Sequence, residues 1–361
     1  MEHTPAIHVI IPVFKVEKYI SQTLDSVLGQ PYPNIDIVCV DDGSPDDSIS
    51  ILREYEKKYK NIHVIRQQNG GVSNARNTGI AYVTENCHDD DYMVFLDGDD
   101  LWTKDCFNPS VAQSWEGVDC VGFSTYRCSN DLSRCQQPPK LTEVTQSGGS
   151  SSVWCHGSSS VNALLLRCGF VRRYQLRFNE TLRYSEDNLF KFTCLFLAER
   201  IKIINKPMYC YRTNPHSAIQ NRKKGIVYME PIIDSYIKTG FEMEQYETPG
   251  RGSAAFYRVL AAVFTLEMIE EHFASFQSRK KLNVYFADHP DVYENFVKTL
   301  PSDLALEARN RRDLFLKHPS TFQLRCIWQG IFQGIQKGIR SNKMLESVLN
   351  NKRFPCKNTY I

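Results

Sequence analysis

"IHVIIPVFKVEKYISQTLDSVLGQPYPNIDIVCVDDGS", residues 7–44 of a 361-residue chain, decides the fold class. The run "IHVIIPVF" (7–14) is apolar almost throughout and is ended by Pro12, the pattern of a strand buried in a parallel sheet. Val16, Ile20, Leu24, Val27 and Leu28 then recur at helical spacing, with Gly29 where a helix would stop. "IDIVCVDDGS" (35–44) is a second apolar strand that stops on two aspartates and a turn.

Outward from this unit the logic repeats. A helix over 47–59 leads into a short strand, "IHVIRQ" (62–67). "NGGVSNARNTGIAYV" (69–83) is a Gly-rich entry into another helix, and "YMVFLDGDDLW" (92–102) opens on the next strand. Such alternation predicts a doubly wound α/β sheet. In these sheets ligands bind beyond the carboxyl ends of the strands, where Pro12, Asp41, Asp42 and Asp97 all fall. From about residue 128 to 160 the composition turns to Ser, Gly, Gln and Pro, which reads as a long loop walling the site. Beyond about residue 222 the pattern is mainly helical, with Phe256, Leu260, Val263, Phe264 and Ile269 on one stripe.

A formal net charge of +2 leaves no basic footprint for a nucleic-acid partner. Twelve cysteines are scattered from Cys39 to Cys356 without a CxxC pair or zinc spacing, so free, mostly buried thiols in a reducing cytosol are expected. The chain shows no signal peptide and no apolar run long enough to span a bilayer, so the expected location is cytoplasmic.

The chemistry gathers in the carboxylates. Asp41 and Asp42 could each simply cap a turn. Asp97, Asp99 and Asp100 form a further acidic group at a strand end, and strand ends of one sheet converge on one edge. Converging like charges repel at low effective dielectric, so a hard divalent cation or a hydrogen-bonding ligand is expected among them. Gly70 and Gly71 permit close backbone approach, and Arg76 follows on the next helix; phosphate binding and an ordinary positive-φ loop both fit these residues.

"IPVFKVEKYI", "VDDGSPDDS", "NGGVSNARNTG" and "FLDGDDLW", in this order and spacing, resemble the GT-A nucleotide-sugar glycosyltransferases, and within them family 2, the inverting enzymes that often build bacterial surface polysaccharides. The resemblance covers about residues 7 to 220. It implies a GT-A domain over 1–220, with a nucleotide-binding half at 1–105 and an acceptor half at 106–220, followed by a helical region over 221–361. The implied fold is a doubly wound mixed sheet. The implied donor is a UDP- or similarly activated sugar, with Mn²⁺ or Mg²⁺ as cofactor and a saccharide or lipid-linked saccharide as acceptor. Carried over by position, Pro12 and Phe14 border the base, and Asp42, or else Asp41, accepts from its N–H. Gly71 and Arg76 lie near ribose or phosphate. Asp97 reaches the ribose or metal region, Asp99 is the main metal ligand, and Asp100 supports the turn.

An inverting transfer needs a base opposite the leaving diphosphate. In "RYSEDNLF" (183–190) the resemblance makes Asp187 that base and Glu186 a contact to a sugar; an acidic helix start favoured by the macrodipole is the alternative. In "PMYCYRTNPHSAI" (207–219) Arg212 is implied to pair with the diphosphate, Ser217 to steady the loop and His216 to add a metal ligand. Trp154 is a candidate for stacking on a sugar ring. Near the end, Trp328, Ile331, Phe332, Ile335 and Ile339 share a helical face flanked by Arg and Lys, a candidate for peripheral membrane contact. Two rivals stand beside this reading. A dinucleotide enzyme would need a Gly-rich loop after strand one, but no glycine precedes Gly29. A sugar-binding subunit without turnover would keep the same fold.

Overall fold

The computed structural model describes residues 4–109, 115–138, 144–147, 160–182 and 185–213, with a few positions between 235 and 246. The chain divides into two compact units, Met1–Asn221 and Arg222–Ile361. Trp154, His216, Ser217, the stripe around 256–269 and the basic amphipathic segment 328–340 lie outside the described residues. Among the described residues no helix is long and apolar enough to cross a membrane.

The first unit is built on a mixed sheet. Strands β1 (Ile7–Val13), β2 (Ile35–Asp41), β3 (Ile62–Arg66) and β4 (Tyr92–Phe95) are joined by helices α1 (Ile20–Leu28), α2 (Ser48–Lys58) and α3 (Val72–Asn86). The four strands pair in parallel in the order β3-β2-β1-β4. The sheet then continues with β9 (Leu164–Arg167), β6 (Cys120–Cys128), β10 (Arg200–Arg212) and β5 (Leu101–Trp102). β9 runs antiparallel to both β4 and β6, whereas β10 is parallel to β6. Helices α4 (Cys168–Arg173) and α5 (Glu186–Leu197) belong to this second half.

Helix α1 buries Ile20, Leu24 and Val27, three of the five residues that its periodicity nominated. Together with Val9, Ile11, Ile37, Cys39 and Leu52 they form one core cluster with the aromatic residues Tyr92, Trp102, Phe107 and Trp115. Pro12 lies inside a central strand, where a missing N–H normally costs a ladder bond. In β1 the carbonyl of Val13 turns toward β2 and that of Ile10 toward the β4 side. The nitrogen of Pro12 therefore faces the β4 side, where pairing has already ended at Ile10 opposite Phe95. The proline thus removes no hydrogen bond and instead sits where the 97–100 turn passes. A Cβ on Gly98 would lie only 3.2 Å from the Pro12 carbonyl oxygen, so this turn needs glycine for close approach.

Two expectations need correction. The stretch 128–160 is not all loop: β7 (Cys135–Gln136) pairs with β6 in a hairpin, and β8 (Val144–Ser147) pairs with β10. Nor are all the thiols free, since Cys128 and Cys135 are joined as a disulfide. They are directly opposite in the β6–β7 ladder, a proximity created by the hairpin and invisible in a seven-residue spacing. Cys39, Cys106, Cys120, Cys168, Cys194 and Cys210 are buried free thiols, and Cys87 is a partly exposed one.

Candidate functional site

Chain reversals after β1, β2 and β4, the start of α3, the start of α5 and the end of β10 meet along one sheet edge through direct contacts. Asp42 begins the chain of contacts. Its Oδ1 accepts from Gln67 Nε2 and from the Gly70 N–H, both at 2.8 Å, and its Oδ2 accepts from the Gly71 N–H at 2.8 Å. Gly71 has φ +90°, a left-handed backbone that presents its N–H to this carboxylate and leads into α3. Asp41 is fully buried and accepts from the Ser44 N–H at 3.1 Å, and its other oxygen lies 3.4 Å from Arg66 Nε. Both aspartates therefore organise loops, and Asp42 clamps Gly70 and Gly71, the pair for which phosphate binding and an ordinary loop both fit the sequence. Asp42→Ala should lower stability by about 2–4 kcal/mol, since three hydrogen bonds to a charged acceptor disappear; a urea melt checks this, and a loss under 1 kcal/mol would mean the clamp is not formed.

Arg76 is the centre of the charge arrangement. Its guanidinium is 4% exposed, donates to Asp97 Oδ1 at 2.9 Å, lies 3.5 Å from Glu186 Oε1 and covers the Phe178 ring at 5.2 Å. Its Nε and Nη1 have no hydrogen-bond partner although both are buried. Asp97, Glu186 and Asp187 all raise the pKa of Arg76, so it stays charged despite burial. Glu186 behaves in the opposite way. Burial, and after it the neighbouring Asp187, raise its pKa to about 7, with Arg76 pulling against both. Asp187 lies in the same first turn and is half-buried, and its Oδ1 accepts from the Asn188 N–H at 2.7 Å. Ser185, just before α5, has φ +65°, a conformation that non-glycine residues rarely adopt and that clusters at functional sites.

The three carboxylates of the 97–100 turn divide by environment. Asp97 is half-buried and uses both oxygens, one for Arg76 and one for Asn162 Nδ2 at 2.7 Å. Asp99 is half-buried too, and its carbonyl accepts from Arg212 Nε at 2.8 Å. Asp100 is 1% exposed, accepts from the Tyr209 hydroxyl at 2.5 Å and from the Arg212 N–H at 2.7 Å, and has its pKa raised by burial and then by Asp97 and Asp99. Asp100 is thus a supporting group of the turn.

Sequence reasoning missed Asn162, which follows β8 on a short 3₁₀ turn before β9. It is 3% exposed and links Asp97 to the Tyr209 hydroxyl, which it meets at 3.0 Å. Tyr209 in turn accepts from the Asp97 N–H at 3.4 Å, so one phenol joins three parts of the site. Only pairing between distant strands brings these groups together, and no local motif marks Asn162.

Arg212, implied to meet a diphosphate, is 3% exposed. Besides the Asp99 carbonyl it donates to the Asn130 carbonyl at 2.7 Å and to Gln22 Oε1 at 2.8 Å, and it stacks over Tyr19. That geometry makes Arg212 a lock on the 97–100 turn. Pro12 is half-buried, and Phe14, at 42% exposure, stands open at the rim beside the same edge.

The model of glycosyl transferase family 2 matches residues 8–181. The glycosyltransferase EpsJ of Bacillus subtilis is 30% identical over 250 residues, which covers 66% of this chain and 68% of EpsJ. The poly(ribitol-phosphate) beta-glucosyltransferase of Bacillus spizizenii is 41% identical over 98 residues, 26% of this chain and 15% of that protein. Among solved structures, residues 1–349 of S. aureus TarS in complex with UDP-GlcNAc superpose with a TM-score of 0.62 at 20% identity, covering 91% of this chain and 92% of that one. That likeness shows the fold, an α/β GT-A fold with the mixed sheet described above. With the ordered motifs of residues 7–102 on the sheet edge and EpsJ matched over two thirds of its length, the chain belongs to glycosyl transferase family 2.

Proposed function

We propose that this transferase moves a sugar from a UDP-sugar, with inversion at the anomeric carbon, to a hydroxyl of a saccharide or lipid-linked saccharide during synthesis of a cell-surface polymer. The observation that carries this reading is the single edge on which Asp97, Arg76, Glu186 and Asp187 interact. The poly(ribitol-phosphate) beta-glucosyltransferase relative supports a surface-polymer role, and the UDP-GlcNAc complex of TarS supports the donor class. In this reading Phe14 and Pro12 receive the base, and Asp42 or Asp41 accepts from it. Gly71 and Arg76 face ribose and phosphate, and Arg212 acts on the donor only through the turn it holds.

The donor set suits a hard cation: Asp97 and Asp99 supply carboxylate oxygens, and each oxygen of Asp97 keeps a second lone pair beyond the N–H it accepts. Asp99 would be the main ligand for Mn²⁺ or Mg²⁺, with Asp97 beside it; the further ligand implied at His216 lies outside the described residues. Such an ion supplies charge stabilisation for the departing diphosphate. The chain's own residues do the rest. Asp187 takes the proton of the acceptor hydroxyl while the Asn188 N–H steadies its carboxylate. Glu186, nearly buried and tied to Arg76, keeps the base beside a group that is largely neutral below pH 7, which lessens repulsion between the two carboxyls.

A panel of nucleotide sugars tests the reading. With Mn²⁺ present a UDP-sugar should raise the melting temperature, by mass action on the folded state, and should be slowly hydrolysed. Asp99→Ala should abolish the metal-dependent part of both. Stabilisation without any turnover would instead indicate a sugar-nucleotide-binding subunit. No shift with any nucleotide sugar would sink the donor assignment.

A further inference from the structure

Beside the turn that holds Asp100 lies a feature the transfer reaction does not use. Cys128, Cys135 and Cys210 place their sulfurs within 4.8 Å of one another, the one cluster of three metal-ligating side chains found among the described residues. The sheet explains the convergence. Arg212 is opposite Cys128 in the parallel β6–β10 ladder, so Cys210, two residues earlier, projects from the same face as Cys128. Cys135 is directly opposite Cys128 across the β6–β7 hairpin and shares that face too. Three strands therefore each deliver one sulfur to one spot. A disulfide joins two of them, and the third is a buried free thiol.

We propose that in the reduced protein these three cysteines form a soft-metal site for Zn²⁺, mutually exclusive with the Cys128–Cys135 disulfide. Three thiolates match the preference of zinc for sulfur, and tetrahedral Zn–S bonds of about 2.3 Å place sulfurs roughly 3.8 Å apart, beside which the three sulfurs here already lie within 4.8 Å of one another. Cys128 and Cys210 are buried while Cys135 is exposed, so the fourth position opens toward solvent on the hairpin side. A bound dication draws the protons off its thiol ligands at neutral pH. A phosphine supplies the two electrons that convert the disulfide to two thiols and leaves as its oxide, with water providing the oxygen and the two protons. Metal binding then releases three protons, one from each cysteine, to solvent.

The site has a structural lever. The hairpin closed by Cys128 and Cys135 carries Asn130, whose carbonyl receives Arg212 and whose side chain receives the Tyr19 hydroxyl at 3.2 Å. Metal and disulfide are thus two ways of closing the same hairpin against β10.

Cobalt titration of the full chain, reduced with a phosphine and freed of metal under anaerobic conditions, tests this without reference to catalysis. One equivalent of Co²⁺ should produce a sulfur-to-cobalt charge-transfer band with tetrahedral d–d bands, and Zn²⁺ should bleach them. Co²⁺ held by carboxylates gives no such charge-transfer band. Even outer partners of a metal ligand are worth about 10- to 100-fold in affinity, so Cys210→Ser should weaken binding by at least about tenfold. The same variant should still form the Cys128–Cys135 disulfide on oxidation, which verifies its fold. Cys135→Ser, on the exposed side of the hairpin, should weaken binding equally, whereas Cys87→Ser should leave the bands unchanged. Absence of a thiolate band in the reduced native protein, or native affinity in Cys210→Ser, would overturn the proposal.

Discussion

Asp187→Asn is expected to lower kcat by about 10²- to 10⁴-fold, the usual contribution of a positioned general base. The asparagine keeps the size of the side chain, and its amide oxygen can still accept from the Asn188 N–H that Asp187 Oδ1 meets at 2.7 Å. Geometry at the start of α5 therefore survives while the acceptor proton loses its destination. Donor affinity should stay within about twofold, because the donor contacts proposed above lie on β1, β2, α3 and the 97–100 turn. Steady-state kinetics with a competent acceptor, beside donor titration by calorimetry, separates the two. A variant that retained more than a tenth of native kcat would move the base elsewhere, and Glu186 is the neighbour to examine next. Its retention of a proton to about pH 7 makes it a poorer base below that value.

Arg76→Met is the second large effect, and it falls on stability. Removing one partner of a buried charge cluster typically costs about 3–5 kcal/mol, because the remaining charges are left uncompensated. Here the abandoned groups are Asp97, whose Oδ1 receives Arg76 at 2.9 Å, and Glu186 at 3.5 Å. The size of the loss should depend on pH. In the unfolded chain Glu186 ionises near its ordinary 4.5, while in the fold it keeps its proton to about 7. Between those values the unfolded chain binds fewer protons, so this group makes the native protein less stable as pH rises from about 4.5 to about 7. Without Arg76, which lowers the Glu186 pKa, the proton should be held to a still higher pH and the destabilising window should widen. Urea melts at pH 5.5 and pH 8 should then show a larger penalty for Arg76→Met at pH 8. Equal penalties at the two pH values would mean that Arg76 and Glu186 are not coupled.

Much of the β1–β4 part of the sheet is legible in the sequence because its determinants are local. The apolar period of β1, α1 and β2 is set by residues a few positions apart, and the described elements match the predicted ones within a few residues. Parallel pairing then sends the ends of those strands to one edge, which is why Asp41, Asp42 and Asp97 could be assigned to one place. The 128–160 stretch was harder. Its polar composition resembles a loop, yet β7 and β8 form there because β6 and β10 offer edges to pair with, a non-local condition.

What the sequence determined by itself is the α/β alternation, the family and the residue types at the sheet edge. The tertiary structure alone decided what each of those residues touches. Asp42 was read as a ligand group, and its carboxylate closes the 67–71 loop. The resemblance gives Arg212 a diphosphate partner, and the fold adds that it locks the 97–100 turn from a strand more than a hundred residues away. Asn162 and the pairing of Cys128 with Cys135 went unread. The reason is common to all four. Periodicity reports which face of an element is buried, but hydrogen-bond partners and sulfur neighbours are fixed by strand order and register, and these arise only when distant segments pair.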